Sequence, residues 1–243
     1  MAELVLEPEL EAVPETSIQD SAIVFSSQAP RAVLMFLHGL TMAPASLFPF
    51  AAALSLPAVF CFPYGPVSER DDARSWWPVD PAKRKSRLDA GPSDLFDRHP
   101  KGRAQARKHL RLALQQVRER WPDLPVYLAG YSQGGMLALD YLLLDDGPRP
   151  DALVLLSSTC IAMDEWQPRL CAAASPVRNL PVLIMHGKHD ADLALSAGER
   201  LRDCLVAAQA KVQWKVFDGG HELPPVVWRG LRRFVLDRIS LQS

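Results

Sequence analysis

Ser132 sits at the centre of Gly130-Tyr131-Ser132-Gln133-Gly134, a glycine–x–serine–x–glycine string. A serine hydroxyl is a weak nucleophile until a neighbouring imidazole takes its proton; it can then attack a carbonyl and carry an acyl group. By chance such a string arises in roughly one chain in ten of this length at average glycine and serine usage, so its surroundings decide its meaning. The apolar run Val126-Tyr127-Leu128-Ala129 precedes it, and the helical pattern Met136-Leu137-Ala138-Leu139 follows. Strand, tight turn and helix form the setting that exposes a nucleophilic serine at a sheet edge. A serine that merely capped the helix would explain Ser132 but not Gly130, Gly134 and Gly135, which clear space around it.

A base and an acid must accompany such a serine. In this setting the chain order is serine, acid, histidine, so His38, His99 and His109 fall on the wrong side of Ser132. His186 directly follows an apolar run and reads as a strand-end residue, and His189 comes before its natural acid partner. His221 remains, in the glycine-rich loop Asp218-Gly219-Gly220-His221-Glu222, which can present an imidazole over a sheet edge. A capping or surface histidine is the plainer alternative. For the acid, Asp190 closes His186-Gly187-Lys188-His189-Asp190 after an apolar strand, where a carboxylate could orient the imidazole. Asp192 stays open as a rival, while Asp218 lies too close in sequence to His221. Phe36-Leu37-His38-Gly39-Leu40 ends an early strand, so the backbone N–H groups of Leu40 and Gln133 are the expected oxyanion donors. Losing one such donor costs on the order of 3–4 kcal/mol of transition-state stabilisation.

These residues need a frame to hold them. Apolar or β-branched runs predict strands at Ala22–Phe25, Val33–His38, Val59–Phe62, Val126–Ala129, Leu153–Leu156, Val182–Met185 and Val212–Phe217. Helical patterns fall at Pro44–Leu54, Ala104–Trp121, Gln133–Leu144, Ser196–Ala210 and Pro225–Ile239. Several strands are apolar throughout rather than alternating, as when helices cover both faces of a parallel sheet. The alternation predicts an α/β fold: a three-layer sandwich with a mostly parallel central sheet and right-handed crossovers. Residues 64–102 break the pattern, being rich in Pro, Asp, Arg and Lys and carrying Trp76 and Trp77. They read as a long loop near the active site, since structureless loops of such length are often lids or binding loops. The plainer reading is a surface excursion tied down by its two tryptophans. The cluster Lys83, Arg84, Lys85 and Arg87 reads as a solvated turn rather than a nucleic-acid patch.

Composition narrows the classes. With 243 residues, 48% hydrophobic and 23% charged, the chain reads as one ordinary globular domain over 1–243, with residues 1–20 as an N-terminal extension. A formal net charge of −1 gives no pull toward nucleic acid or anionic membranes. Four scattered cysteines without a CxxC pair support neither a disulfide scaffold nor a zinc site, and Cys61 and Cys204 read as buried thiols. The acidic, proline-containing N-terminus lacks the features of a secretory signal, and no stretch reaches the roughly 18–20 apolar residues of a membrane span. A cytoplasmic protein without metal or organic cofactor is the expectation.

Taken together, LHGL at 37–40, FPYGPVSERDDARSWWPVD at 62–80, LAGYSQGGMLAL at 128–139, PVLIMHGKHD at 181–190 and FDGGHEL at 217–223 resemble the carboxylesterase/phospholipase family that includes the acyl-protein thioesterases. The resemblance implies an α/β-hydrolase fold with no large cap domain, using Ser132, Asp190 and His221, with Leu40 and Gln133 as oxyanion donors. It also implies that Trp76 and Trp77 border the acyl site. The chain departs from the family pattern at Thr41-Met42, at Asp190-Ala191-Asp192-Leu193-Ala194 and in the longer stretch from Pro81 to Arg103, the loops that set acyl specificity. The expected substrate is a small-molecule carboxylic ester of short to medium acyl chain. A thioesterase or lysophospholipase is the alternative, and a non-catalytic binding protein the remote one. Monomer and homodimer both stay open.

Overall fold

A computed structural model describes residues 21–26 and 28–241 of the chain; the N-terminal extension read over residues 1–20 lies outside the described residues. The seven apolar runs become one seven-stranded sheet, each strand within a residue or two of the expected bounds. In chain order its strands are β1 (Ser21–Phe25), β2 (Ala32–Leu37) and β3 (Ala58–Pro63), then, after a small hairpin of β4 (Val67–Ser68) and β5 (Arg74–Ser75), β6 (Val126–Tyr131), β7 (Ala152–Leu156), β8 (Pro181–Gly187) and β9 (Lys211–Phe217). The spatial order is β1-β3-β2-β6-β7-β8-β9, with β1 antiparallel to β3 and every other pair parallel.

β2, β3 and β7 are buried along their whole length, which is why their sequences are apolar without alternation. Helices α3 (Arg103–Arg120), α4 (Gln133–Leu144), α5 (Met163–Leu170) and α6 (Leu195–Ala207) cover one face. Helices α1 (Phe48–Leu54) and α7 (Pro225–Ser240) cover the other. The odd-numbered side chains of β2 (Val33, Met35, Leu37) face the first core, and Leu34 and Phe36 face the second. This alternation is what makes the fold three-layered. Asp140 on α4 is wholly buried, accepting from Arg107 at 2.6 Å and from the Trp166 indole at 2.7 Å, and so joins α3 and α5 to α4.

Chain order reverses beside β2: its next strand in sequence, β3, lies on one side and β6 on the other. The carboxyl ends of strands flanking such a switch point leave a crevice where ligands bind in open α/β sheets. Leu40 follows β2 and Ser132 follows β6, so both sit at that crevice.

Residues 64–102 are not a structureless loop. They hold β4, β5 and the helix α2 (Pro81–Asp89), and among the described residues no large cap is built over the sheet. Asp80 caps α2, its Oδ1 accepting from the Ala82 N–H at 2.9 Å and the Lys83 N–H at 3.2 Å, and Pro81 fits the first helical position. No residue of α2 is fully buried, so the helix lies on the body of the protein rather than in its core.

Candidate active site

The turn after β6 is strained at one residue. Ser132 has φ 51° and ψ −116°, a region that side-chain-bearing residues rarely occupy and that costs roughly 1–3 kcal/mol. Its amide donates to Leu156 O on β7 at 2.9 Å, and α4 starts at the next residue. The flanking glycines are demanded by close approach: a Cβ on Gly130 would lie 2.4 Å from the Gly134 backbone, and one on Gly134 would lie 2.4 Å from Leu37 O. The hydroxyl therefore stands on a short stalk between two strand ends, at the amino terminus of a helix.

His221 reaches it from the loop after β9. Its Nε2 lies 2.9 Å from Ser132 Oγ, and its Nδ1 lies 2.7 Å from Asp190 Oδ2. The loop that carries it is tied down at its backbone: the Tyr131 hydroxyl donates to His221 O at 2.8 Å, and the His189 amide donates to Gly219 O at 2.9 Å. Asp190, in the loop after β8, has a fully buried side chain whose second oxygen accepts from the amides of Asp192 at 2.9 Å and Leu193 at 2.8 Å. One carboxylate oxygen is thus committed to its own loop and the other to the imidazole.

His186, His189 and His99 have other partners. His186 is wholly buried, its Nε2 donating to Leu193 O at 3.0 Å and lying 3.5 Å from Asp190 Oδ2; burial holds its pKa below the ordinary value. His189 pairs with Asp218 at 3.0 Å on the surface, and His99 with Asp164 and Glu165. Asp192 makes no hydrogen bond to the imidazole: Arg84 donates to its Oδ2 at 2.6 Å, and Arg87 pairs with its Oδ1. Burial works against the charged form of Asp192, yet Arg87, His221 and Arg84 together hold its pKa below the usual carboxylate range.

The end of β2 is organised around His38. Burial pushes its pKa down to about 4. The neutral ring accepts the Gly65 N–H on Nε2 at 3.0 Å, which leaves Nδ1 to donate to Gly39 O at 2.7 Å. Trp76 stacks on this ring at 4.9 Å between centroids and donates its indole N–H to His38 O at 2.9 Å. Gln133 then ties the segment to the serine turn, its Oε1 accepting from the Trp76 N–H at 2.8 Å and its Nε2 donating to Trp77 O at 2.9 Å. As the first residue of α4, Gln133 has a backbone amide with no partner inside the helix. Leu40, after β2, lines the same cleft as Ser132.

That cleft has a volume of about 700 Å³, the size of a small-molecule site. Its floor beside Ser132 and Gln133 is apolar: Leu40, Trp77, Leu95, Met136, Ile161 and Leu193. Trp77 is therefore a wall of the cleft. Trp76 is not among its lining residues and serves the body of the protein instead. The basic cluster also departs from expectation. It lies on α2 rather than in a turn, Arg84 and Arg87 turn inward to Asp192, and only Lys85 is spent on a neighbouring exposed carboxylate, Asp89. Cys61 is buried as read, whereas Cys204 is only partly so. Met136, Ile161 and Leu95 were not distinguishable in sequence from core residues, because apolar floor and apolar core look alike. Among the described residues no three His, Cys, Asp or Glu side chains are grouped as a metal site needs. No described helix is long and apolar enough to cross a membrane.

The family model of phospholipases and carboxylesterases matches residues 18–237. Among solved structures, esterase PE8 is similar with a TM-score of 0.71 and 20% identity, covering 90% of this chain and 98% of its own. Acyl-protein thioesterase 2 of Zea mays is similar with a TM-score of 0.70 and 18% identity, covering 90% and 98%. A carboxylesterase from Mesorhizobium loti follows at 0.63 and 18%, covering 90% and 99%. At these identities the likeness is one of fold. No curated protein matches the sequence.

Proposed function

The chain belongs to the phospholipase/carboxylesterase family of α/β-hydrolases, and from that membership we propose that it is a serine carboxylesterase acting on esters of short to medium acyl chain. The observation that carries the reading is the unbroken line Ser132 Oγ, His221 Nε2, His221 Nδ1, Asp190 Oδ2, with contacts of 2.9 and 2.7 Å. In the proposed reaction His221 takes the Ser132 proton as Oγ attacks the ester carbonyl. The N–H groups of Leu40 and Gln133 receive the developing oxyanion, aided by the positive end of the α4 dipole. His221 then returns the proton to the departing alcohol, leaving an acyl group on Oγ. Water, deprotonated by the same imidazole, releases the acid and restores the serine. Asp190 keeps Nδ1 protonated and offsets the charge of the imidazolium. The strain at Ser132 supports this reading, since a serine placed only to cap α4 has no need of it.

The test is steady-state turnover of matched p-nitrophenyl esters, acyl thioesters and lysophospholipids by the wild type and Ser132→Ala. The reading expects the p-nitrophenyl esters to be the best substrates and the variant to lose about a thousandfold or more in kcat. A thioester preference would move the assignment to a thioesterase; full activity in the variant would end the serine mechanism.

A further inference from the structure

The charge around the cleft is out of step with the molecule. The chain as a whole carries a formal net charge of −1. Yet five cations (Lys83, Arg84, Arg87, Arg98 and Lys101) line the cleft against three carboxylates, Asp80, Asp97 and Asp192. The partners show where the excess is left. Asp192 is taken by Arg84 and Arg87, Asp97 pairs with Arg98 at 3.4 Å, and Asp80 is occupied in capping α2. His99 on the same wall is engaged by Asp164 and Glu165, and Glu165 also holds Arg103. Lys83 and Lys101 remain, both exposed, with no carboxylate partner among the described residues. One stands on α2, and the other in the turn that leads into α3.

Two surfaces of opposite character therefore meet in one cleft. Beside Ser132 the walls are apolar and suit an alkyl chain; at the rim they present two ammonium groups that are in no ion pair among the described residues. A neutral ester would use the first and gain nothing from the second. An anion at the rim would gain charge-assisted contacts that its neutral isostere lacks, and a locally positive mouth would also concentrate anionic substrates.

We propose that the cleft selects anionic esters: an ester whose acyl chain lies on the apolar floor and ends, remote from the scissile carbonyl, in a carboxylate or phosphate received by Lys83 and Lys101. The proposal rests on Ser132 as the esterase nucleophile and adds the substrate class to it. Each lysine is worth up to about fivefold in kcat/KM, the ceiling for an exposed ion pair, and salt should erode the advantage.

Two matched pairs of substrates separate the sources of charge. Mono-p-nitrophenyl glutarate is compared with p-nitrophenyl pentanoate, and p-nitrophenyl 5-(phosphonooxy)pentanoate with p-nitrophenyl hexanoate, so that in both pairs the anion ends the acyl chain. The quantity read is the anionic-to-neutral ratio of kcat/KM at low salt and at about 0.5 M NaCl, where exposed charges are screened beyond a few ångström. In the wild type the ratio should exceed about three in at least one pair, naming carboxylate or phosphate as the group received, and should fall toward one in salt. In Lys83→Gln, Lys101→Gln and the double variant it should fall in the same direction, with Tm as the control for folding. Ratios at or below one in both pairs, with neutral esters still turned over, would overturn the proposal while leaving the esterase reading intact. So would a preference that survives both the double variant and salt. Failure to hydrolyse any ester would overturn the proposal together with the reading beneath it.

Discussion

At the scale of the residue, the two ring nitrogens of His221 have different partners, and the difference assigns their roles. The oxygen opposite Nδ1 belongs to Asp190 at 2.7 Å, whereas the carboxylate of Asp192 is turned to Arg84 and Arg87. Asp190→Asn should therefore lower kcat by about 10⁴, because an amide can hold the imidazole in the wrong tautomer. Asp192→Asn leaves that contact in place and should cost less than about a hundredfold, through loosening of the loop whose amides bind Asp190 Oδ1. Measuring kcat for both variants decides the matter; a larger loss in Asp192→Asn would reverse the two roles. Ser132 could be singled out in sequence because glycines bracket it, and close approach leaves such a trace; His221 could be singled out by its place after Ser132 in a glycine-rich loop. The choice between Asp190 and Asp192 could not be closed in sequence, because it depends on arginines more than a hundred positions away.

At the scale of the element, what was legible follows from burial. Strands hidden on both faces must be apolar throughout, and β2, β3, β6, β7 and β8 were readable for that reason; the edge strand β9 was readable from its alternation instead. α2 and α5 were not, for a physical reason: α2 buries no residue fully, so it carries no apolar stripe, and α5 spans eight residues with Pro168 inside it. What holds α2 is its cap and its arginines, neither of which has a period. The pair Trp76–Trp77 divides by the alternation of an extended segment, one side chain inward to His38 and one to the cleft. Trp76→Ala should destabilise the fold by about 3–5 kcal/mol, as for other buried aromatics. Trp77→Ala should instead flatten the dependence of kcat/KM on acyl length, which in the wild type is worth up to about 0.8 kcal/mol per methylene. Urea unfolding and a series of p-nitrophenyl esters from acetate to octanoate measure the two effects. Equal losses of stability in both variants, with an unchanged chain-length profile, would make both tryptophans structural.

At the scale of the molecule, the site is built where the order of the sheet reverses, and histidines buried for structural reasons surround it. That has a consequence for stability in acid. His38 keeps its neutral form down to a pKa of about 4, whereas an unfolded histidine takes up its proton near 6.5. The contribution is fully present above pH 6.5 and is lost as pH falls, because the unfolded state then binds the extra proton. The loss amounts to about 3 kcal/mol by pH 4 at 1.36 kcal/mol per unit. The lowered pKa of His186 acts in the same direction. Urea midpoints between pH 7 and pH 4 should fall in the wild type, and less steeply in His38→Gln, which starts from a lower stability. Parallel slopes in the two proteins would contradict the neutral, buried His38 described here.

The central claim is that Ser132 carries the acyl group. The most direct measurement is the intact mass of the protein after brief exposure to a fluorophosphonate, followed by mapping of the modified peptide. The account predicts a single adduct, on Ser132, that forms in the wild type and in Lys83→Gln, forms far more slowly in His221→Ala, and is absent from Ser132→Ala. An adduct on another residue, or undiminished labelling of Ser132→Ala, would contradict it.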